Sequence, residues 1–252
     1  MKNLSLLVSS FDDYSDLWPP FFELLFKNWD KVDVPIFLIT NELKYDDRNT
    51  INDNKIISLC LSKKNTWSKS VIEAISNIET KYILFSLEDF LLKELVNVSK
   101  IEDTIEFLIK NDAAAVYLNK NRFNHLEFKS NENFKLINPN TPYVVSTQAA
   151  IWNKDKLLEV LETYESAWDF EINGSIRSRK YKNKFYCIND NIFNYKHHAV
   201  EKGKWFPAEL KNLNYLQIYP NLKKRAVMNT YEVLIWRIKL IVGKARLKFL
   251  TK

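Results

Sequence analysis

The sequence contains very little glycine, which excludes the nucleotide-binding loops that depend on this residue. Only three of the 252 residues are glycine, namely Gly174, Gly203 and Gly243. Loops that surround phosphates with backbone N–H groups need clustered glycines, so neither G-x-G-x-x-G nor G-x-x-x-x-G-K-[ST] is present. We therefore exclude dehydrogenases that bind a dinucleotide through such a loop, and we also exclude the P-loop NTPases.

The sequence is also short of cysteine and of long apolar runs. The two cysteines, Cys60 and Cys187, are far apart in apolar stretches, so they form neither a metal-binding spacing nor a disulfide framework. This pattern favours a reducing compartment, and we expect a cytoplasmic protein. No apolar run is long enough to predict a transmembrane helix. The apolar residues 4–9 are too few for a signal peptide and predict a buried first strand.

The positive charge is concentrated at the C-terminal end. The formal net charge is +6, but residues 222–252 contain nine basic residues and one acid, Glu232. This segment therefore carries +8, and residues 1–221 carry −2. Because the larger part is nearly neutral, we expect no nucleic-acid partner. We divide the chain into a body, residues 1–221, and a basic tail, residues 222–252.

The basic tail has the pattern of an amphipathic helix. Apolar residues recur at helical spacing from Val227 to Phe249 with Lys and Arg on both sides, and Trp236 and Leu240 begin a second apolar ridge on the opposite face. One interpretation is a helix that packs on the body with a solvated basic rim. The other is an interfacial helix on an anionic membrane, which would place the protein at the inner face of the cell membrane.

Apolar runs and amphipathic segments alternate along the first part of the chain. The predicted elements are a strand at 4–9, a helix at 17–29, strands at 35–40 and 55–61, a helix at 67–78 and a strand at 81–87. This order predicts a single α/β domain with a mainly parallel central sheet. The last strand is apolar throughout, as expected of a central strand.

The pattern is less regular in the second part of the chain. The predicted elements are a helix at 99–110, a strand at 113–118, an irregular hairpin or excursion at 119–141, a strand at 144–151, a helix at 154–164 and a strand at 185–193. Neither an internal repeat nor a low-complexity linker separates these elements. We therefore expect one domain with an appended C-terminal helix.

Two adjacent acids, Glu88 and Asp89, follow the predicted central strand. In open α/β sheets, ligands bind beyond the carboxyl ends of the strands. Adjacent carboxylates at this position could hold a hard divalent cation, Mg²⁺ or Mn²⁺, together with phosphate oxygens of a substrate. Alternatively, they are solvated acids at the start of a loop.

The segment around these acids resembles the GT-A-fold glycosyltransferases, particularly those of bacterial lipopolysaccharide and capsule assembly. The resemblance rests on the run from Trp67 to Phe90, in which KYILFSLEDF occupies the place of the D-x-D-type motif. Shorter stretches match in the same order, at residues 12–18, 146–152, 168–171 and 202–205. Since Glu-Asp stands where the family has Asp-Asp or Asp-x-Asp, Asp89 is the expected direct metal ligand.

The resemblance implies a Rossmann-like catalytic domain that transfers a hexosyl or N-acetylhexosaminyl group from a nucleotide diphosphate, expected to be UDP. The expected acceptor is a glycan or a lipid-linked molecule of bacterial surface polysaccharide synthesis. The expected cofactor is Mn²⁺ or Mg²⁺, which neutralises the leaving diphosphate. The alternative is a non-catalytic carbohydrate- or nucleotide-binding protein of the same fold, because Glu88 replaces the first Asp of the motif.

The resemblance also implies where the acceptor is activated. Glu171 is the expected base that takes the acceptor proton, with Asp169 as the second catalytic acid, and Trp168 is expected to stack on an acceptor sugar. In an extended segment, the two acids would face the same side. Alternatively, they are helix N-terminal residues favoured by the helix dipole, and Trp168 and Phe170 belong to the core.

The remaining site residues follow from the same resemblance. The expected nucleotide-sugar contacts are Ser9, Ser10, Asp12, Asp13, Asn41, Trp67, Glu88, Gln148, Lys202 and Lys204. The two lysines would clamp the diphosphate, and one of the adjacent His197 and His198, expected to be His198, would be a second metal ligand. Alternatively, Asp12 and Asp13 cap the following helix, and Gln148 serves buried backbone groups.

Overall fold

The computed structural model describes residues 1, 3–45, 56–120, 125–126, 133–195 and 198–250. Its strands are β1 (Leu4–Ser9), β2 (Ile36–Thr40), β3 (Ile56–Cys60), β4 (Tyr82–Leu87), β5 (Ala115–Tyr117), β6 (His125–Leu126), β7 (Phe134–Ile137), β8 (Ala150–Asn153), β9 (Phe185–Ile188), β10 (Val200–Glu201) and β11 (Lys204–Trp205). The first four confirm the strands predicted for the first part of the chain.

The helices surround the strands and begin at recognisable local signals. They are α1 (Trp18–Asn28), α2 (Trp67–Ser76), α3 (Val98–Asn111), α4 (Lys154–Leu158), α5 (Ala167–Asp169), α6 (Ser175–Arg177), α7 (Pro207–Tyr215) and α8 (Thr230–Leu250). A π-helical turn, Phe170–Gly174, joins α5 to α6. Thr66 caps α2 by accepting a hydrogen bond from the Lys69 N–H at 3.2 Å, and Asn97 caps α3 in the same way.

Within the described residues, the main sheet has nine strands in the order β3-β2-β1-β4-β8-β5-β9-β7-β6. β3, β2, β1 and β4 are parallel to one another, which confirms the predicted parallel arrangement for this half. β8 runs antiparallel to both β4 and β5, and β7 runs antiparallel to β9. The sheet is therefore mixed, with all strands except β8 and β7 pointing in one direction.

The core covers both faces of this sheet. On one face, Leu6 and Leu84 pack against α1 and α3. On the other face, Leu7 and Phe85 pack against α2. Since alternate residues of a strand point to opposite faces, burial on both sides explains why β1 and β4 are apolar throughout. The prediction that 81–87 is a central strand is confirmed.

Three predictions for the second part of the chain are wrong in extent. The strand expected at 144–151 is present only as β8, the helix expected at 154–164 ends at Leu158, and the strand expected at 185–193 ends at Ile188. Residues 144–146 are buried or half-buried without being a strand, because side chains, and not a neighbouring strand, form hydrogen bonds with their backbone. The Tyr117 hydroxyl donates to the Val144 carbonyl oxygen at 2.8 Å and accepts from the Ser146 N–H at 2.9 Å.

The helix of the basic tail is present as α8 and is a long one of 21 residues. None of the helices that the structure describes, α8 included, has the length and apolar composition that crossing a bilayer requires. Near its start, Trp236 packs on Phe206 with ring centroids 4.7 Å apart. Of the two apolar ridges predicted for this helix, the second is thus the one that touches the body here.

A buried ion pair ties the segment before α8 to the start of the chain. Arg225 donates from Nε and Nη2 to the two carboxylate oxygens of Asp16, at 2.9 and 3.0 Å, and its guanidinium lies 4.2 Å from the ring centroid of Tyr14. Both charged side chains are almost inaccessible to solvent. Because the pair joins residues 209 apart, it fixes the path of the chain that leads into α8.

We expect Asp16→Asn to lower the free energy of unfolding by about 3 kcal/mol, because it leaves the buried Arg225 guanidinium without an opposite charge. Urea denaturation measures this change. The matched control is Asp13→Asn, an exposed acid in the same segment, for which we expect a change below about 0.5 kcal/mol. Equal denaturation midpoints for the two variants would show that the ion pair does not stabilise the fold.

Candidate functional site

Polar side chains collect at the edge of the sheet where the parallel strands end, which we call the carboxyl edge. β1 and β4 end there in register, with Ser9 opposite Leu87, and the antiparallel β8 begins there, with Ala150 opposite Phe85. The expected site residues placed at this edge by their strands are Ser9, Ser10, Asn41, Glu88, Asp89 and Gln148. The carboxyl edge is therefore the candidate site, as expected for an open α/β sheet.

Asp12 links the loops that follow β1 and β2. Its carboxylate accepts hydrogen bonds from the N–H groups of Asn41, Glu42 and Leu43 at 2.8, 2.9 and 3.2 Å. Burial on its own would raise the pKa of Asp12, but these three backbone hydrogen bonds outweigh it and lower the pKa. Asp12 thus organises the edge from within, whereas no described group bonds to the exposed carboxylate of Asp13. The helix that follows, α1, has Leu17 at its N-cap and no side-chain cap, so neither acid caps it.

Two tryptophans orient the serines at the end of β1. The indole N–H of Trp67 donates to Ser9 Oγ at 3.0 Å, and that of Trp18 donates to Ser10 Oγ at 2.7 Å. Since each serine oxygen accepts here, its own O–H remains available to donate to a ligand oxygen. Trp67 also packs on Phe170 with ring centroids 5.3 Å apart, so it connects the end of β1 to the π-helical turn.

Glu88 and Asp89 are both buried at the end of β4. Burial, and then the adjacent charge of Asp89, raise the pKa of Glu88 well above its usual range, while the charge of Arg225 acts in the opposite direction. The raised pKa favours the neutral form of Glu88. Of the two acids, Asp89 is the one that contacts an imidazole, that of His198, so its carboxylate is the one suited to a cation.

The structure places His198 against Asp89. Their Nδ1 and Oδ2 atoms are 3.5 Å apart, and the Ala199 N–H donates to the Asp89 carbonyl oxygen at 2.9 Å. Burial opposes the charged imidazolium, but the hydrogen bond and charge of Asp89, with smaller contributions from Glu201 and Glu171, outweigh it and raise the pKa of His198. His197 lies outside the described residues.

A carboxylate oxygen and an imidazole nitrogen form a donor pair that suits Mn²⁺. Within the described part of the chain, no group of three or more His, Cys, Asp or Glu side chains could hold a metal ion. Asp89 and His198 therefore fit a divalent cation only if a ligand, such as a diphosphate, supplies further oxygens.

Asp169 and Glu171 lie on a helix and a π-helical turn, so the extended arrangement considered for them is wrong. The Asp169 carboxylate accepts from the Ser166 N–H and hydroxyl at 3.1 and 2.6 Å, and Ser166 Oγ accepts from the Asp169 N–H. These hydrogen bonds lower the pKa of Asp169. The reciprocal pattern is a capping box, which confirms the alternative of a helix N-terminus for Asp169.

Glu171 is held at the carboxyl edge by Thr147. Its Oε1 accepts from the N–H and the hydroxyl of Thr147 at 2.7 and 2.8 Å. No described residue bonds to Oε2, and the charge of Glu171 is close enough to raise the pKa of His198. Glu171 thus lies at the same edge of the sheet as the Asp89–His198 pair, with one carboxylate oxygen held by Thr147 and the other without a partner among the described residues.

Trp168 lies outside the core, whereas Phe170 lies inside it. Trp168 is 65% exposed, and Phe170 is 2% exposed, so the core alternative is correct for Phe170 alone. The ring of Tyr143 lies 6.3 Å from that of Trp168. The exposed Trp168 indole therefore remains available as a stacking surface near Glu171.

The hairpin β10–β11 carries two of the expected basic site residues, Lys202 and Lys204. Lys202 and Gly203 form its turn with positive φ angles of 49° and 75°, and a Cβ on Gly203 would lie 3.8 Å from Nη1 of Arg225. Lys204 forms an ion pair with Glu232 of α8. Sequence reasoning missed Arg225 as a site residue, since it appeared there only as one of nine basic residues in the tail.

The fold of this chain is similar to those of two solved structures at low sequence identity. Residues 1–349 of TarS from S. aureus, in complex with UDP, match with TM-score 0.52 and 13% identity over 77% of this chain and 60% of that one. The mannosyltransferase PcManGT from Pyrobaculum calidifontis, in complex with GDP-Man and Mn²⁺, matches with TM-score 0.52 and 10% identity over 80% and 58%.

The chain spans about three fifths of the length of each of these two proteins. No protein-family model matches it, and no curated protein matches it in sequence. At these identities, the likeness concerns the fold and not the residues of the site. The chain has an α/β fold with a mixed, mostly parallel sheet that resembles the fold of GT-A glycosyltransferases.

Proposed function

We propose that this chain is a glycosyltransferase that moves a sugar from a nucleotide diphosphate, UDP in our proposal, to an acceptor hydroxyl. The observation that carries the proposal is the convergence of Asp89 and His198 with Glu171 at the carboxyl edge. A cation-binding pair beside a fixed carboxylate is the arrangement that leaving-group stabilisation and acceptor deprotonation require. The UDP and GDP-Man bound by TarS and PcManGT support this donor class.

Asp89 and His198 would hold the divalent cation, Mn²⁺ or Mg²⁺. The cation acts as a Lewis acid that neutralises charge on the departing diphosphate. Lys202, Lys204 and Arg225 add positive charge for the same diphosphate. For Lys204, this role requires release from its ion pair with Glu232.

The other donor contacts lie at the ends of β1, β2 and α2. The hydroxyls of Ser9 and Ser10 donate to the nucleoside, and the free carboxylate of Asp13 accepts from it. Asp12, Asn41 and Trp67 shape this part of the site, because Asp12 bonds to Asn41 and Trp67 bonds to Ser9. Glu88, favoured in its neutral form, can donate a hydrogen bond to an oxygen of the donor.

Glu171 is the proposed base. With Oε1 fixed by Thr147, its Oε2 takes the proton of the acceptor hydroxyl as that oxygen attacks the donor sugar. Asp169 stabilises the helix turn that presents Glu171, and Trp168 stacks on the acceptor sugar.

The proposed acceptor is a glycan or lipid-linked molecule of bacterial surface polysaccharide synthesis, held near a membrane by the basic tail. Body and tail divide at residue 221 in this proposal. Four apolar residues spaced along one face of α8 are 51–70% exposed, namely Tyr231, Leu234, Ile238 and Ile241. Trp236, on the other face, packs on the body. An outward apolar stripe flanked by Lys and Arg fits the surface of an anionic membrane at the cytoplasmic face.

The first test of this function measures nucleotide binding through the rise that it causes in the melting temperature. With UDP or UDP-sugars plus Mn²⁺ at about 100 times Kd, we expect stabilisation of about 2.7 kcal/mol, or about 5–10 °C. Asp89→Asn should remove the Mn²⁺-dependent part of this rise, whereas Asp103→Asn, an exposed acid on α3, should retain it. A full Mn²⁺-dependent rise in Asp89→Asn would refute the metal role.

The second test separates transfer from binding. Glu171→Gln should lower kcat by about 10²–10⁴-fold, because the amide cannot accept the proton, while its carbonyl oxygen can still accept from Thr147. Donor affinity should stay unchanged, and Asp169→Asn should have a much smaller effect on kcat. Turnover at the wild-type rate in Glu171→Gln would rule out this base. A wild-type protein that binds donor but transfers no sugar would favour the non-catalytic alternative.

The third test addresses the membrane. The double variant Leu234→Glu/Ile241→Glu should lose binding to liposomes that contain anionic lipid, because it places carboxylates on the outward stripe. Co-sedimentation of the full chain measures this loss. Ile109→Glu changes an equally exposed apolar residue on α3 and should bind like the wild type. Undiminished binding of the double variant would contradict membrane attachment through α8.

A further inference from the structure

The hydroxyl of Tyr195 is buried at the carboxyl edge and has defined hydrogen-bond partners. It accepts from the Ala149 N–H at 3.0 Å and donates to Gln148 Oε1 at 3.0 Å. The Tyr195 ring is stacked on Phe90, with ring centroids 4.1 Å apart and planes 8° from parallel. A buried phenol held in this way cannot rotate to suit different partners, so it fixes the group that receives its proton.

These partners determine which way the Gln148 amide points. The phenol has one proton, and the Ala149 N–H already donates to its oxygen, so the proton goes to the carbonyl end of Gln148. The amide nitrogen of Gln148 therefore faces away from Tyr195. No described residue accepts a hydrogen bond from it. Gln148 thus presents an oriented N–H donor that has no partner in the described part of the chain.

Asn119 complements this donor with an acceptor. It lies just beyond the end of β5, a strand that ends at the carboxyl edge. Its Oδ1 is buried and accepts no hydrogen bond from any described residue, while its side chain is close enough to Tyr195 to favour the ionised phenol. A buried carbonyl oxygen without a partner destabilises the fold, because it has lost its hydrogen bonds to water. Such an atom in a native fold calls for an explanation, and a bound ligand is one.

Contacts of Tyr195 and Gln148 connect the two amides to the residues of the proposed reaction. Tyr195 is close enough to Asp89 for that charge to oppose ionisation of the phenol, and Gln148 directly follows Thr147, which holds Glu171. Phe90 contacts both the Tyr195 ring and the His198 ring. Tyr195 and Thr147 therefore connect the amides to the segments that carry Asp89, His198 and Glu171, close to where the sugar must be during transfer.

We propose that Gln148 and Asn119 select the donor sugar by a substituent that both accepts and donates a hydrogen bond, with Tyr195 as the positioning residue. This inference rests on the proposed glycosyltransferase function. Gln148 Nε2 donates to the substituent, and Asn119 Oδ1 accepts from it. A ring hydroxyl and an acetamido group both meet this requirement, since each contains an acceptor oxygen and a polar hydrogen.

Gln148→Glu tests the inference with little change in shape. The carboxylate still accepts from Tyr195, but it replaces the N–H donor with a second acceptor. Titration calorimetry with UDP, UDP-glucose, UDP-N-acetylglucosamine and UDP-2-deoxyglucose measures the contribution of the sugar. We expect about tenfold or greater loss of affinity for the sugar that the wild type prefers, with UDP affinity unchanged. Gln217→Glu, at the only other glutamine and exposed, should retain wild-type affinities.

Tyr195→Phe tests the positioning role. Removal of the hydroxyl allows the Gln148 amide to rotate. The differences in affinity among the three UDP-sugars should therefore become smaller, while UDP still binds. In the wild type, preference for N-acetylglucosamine identifies an acetamido group, and preference for glucose over 2-deoxyglucose identifies a hydroxyl. Unchanged sugar preference in both variants overturns this inference and leaves the proposed function intact. A wild-type protein that binds neither UDP nor any of the three UDP-sugars refutes the proposed function itself.

Discussion

The parallel pairing of β1 with β4 is the constraint on which the candidate site depends. The two strands pair in register from Leu4–Tyr82 to Ser9–Leu87, and both faces of this pair are buried. A slip of one residue would exchange the side chains that face α1 with those that face α2. Because the register is fixed by burial on both sides, the serines after β1 and the acids after β4 end at one edge.

Hydrogen bonds between distant segments then determine what each polar group at this edge can do. The carboxylate of Asp12 accepts hydrogen bonds from three N–H groups of the loop after β2. Thr147 occupies one oxygen of Glu171, and Tyr195 occupies the carbonyl end of Gln148. In each case, the internal partner reduces the freedom of the side chain, and it thereby decides which atom remains for a ligand.

Apolar sequence patterns correctly predict strands whose two faces are both buried in the sheet. They fail where a buried segment forms its backbone hydrogen bonds with side chains instead of with neighbouring strands. The strands around residues 4–9 and 81–87 were found because both faces of a central strand are buried. Residues 144–146 were mistaken for strand, because side chains of Tyr117 and Ser175 satisfy their backbone while they are buried or half-buried. The two-residue spacing of Asp169 and Glu171 is compatible with a strand as well as with the start of a helix, so it does not distinguish the two. In the structure, a capping box begins a helix at this segment.

By itself, the sequence determined the α/β class, the acidic pair at the end of the fourth strand and the basic helix at the C-terminus. These follow from local periodicity and composition, which neighbouring residues encode. Only the tertiary structure decided that Arg225 meets Asp16 across 209 residues, that His198 lies against Asp89, and that Asn119 and Gln148 share one edge. Such contacts depend on how the strands are ordered in the sheet, and strand order arises from packing between distant parts of the chain, which no local pattern records.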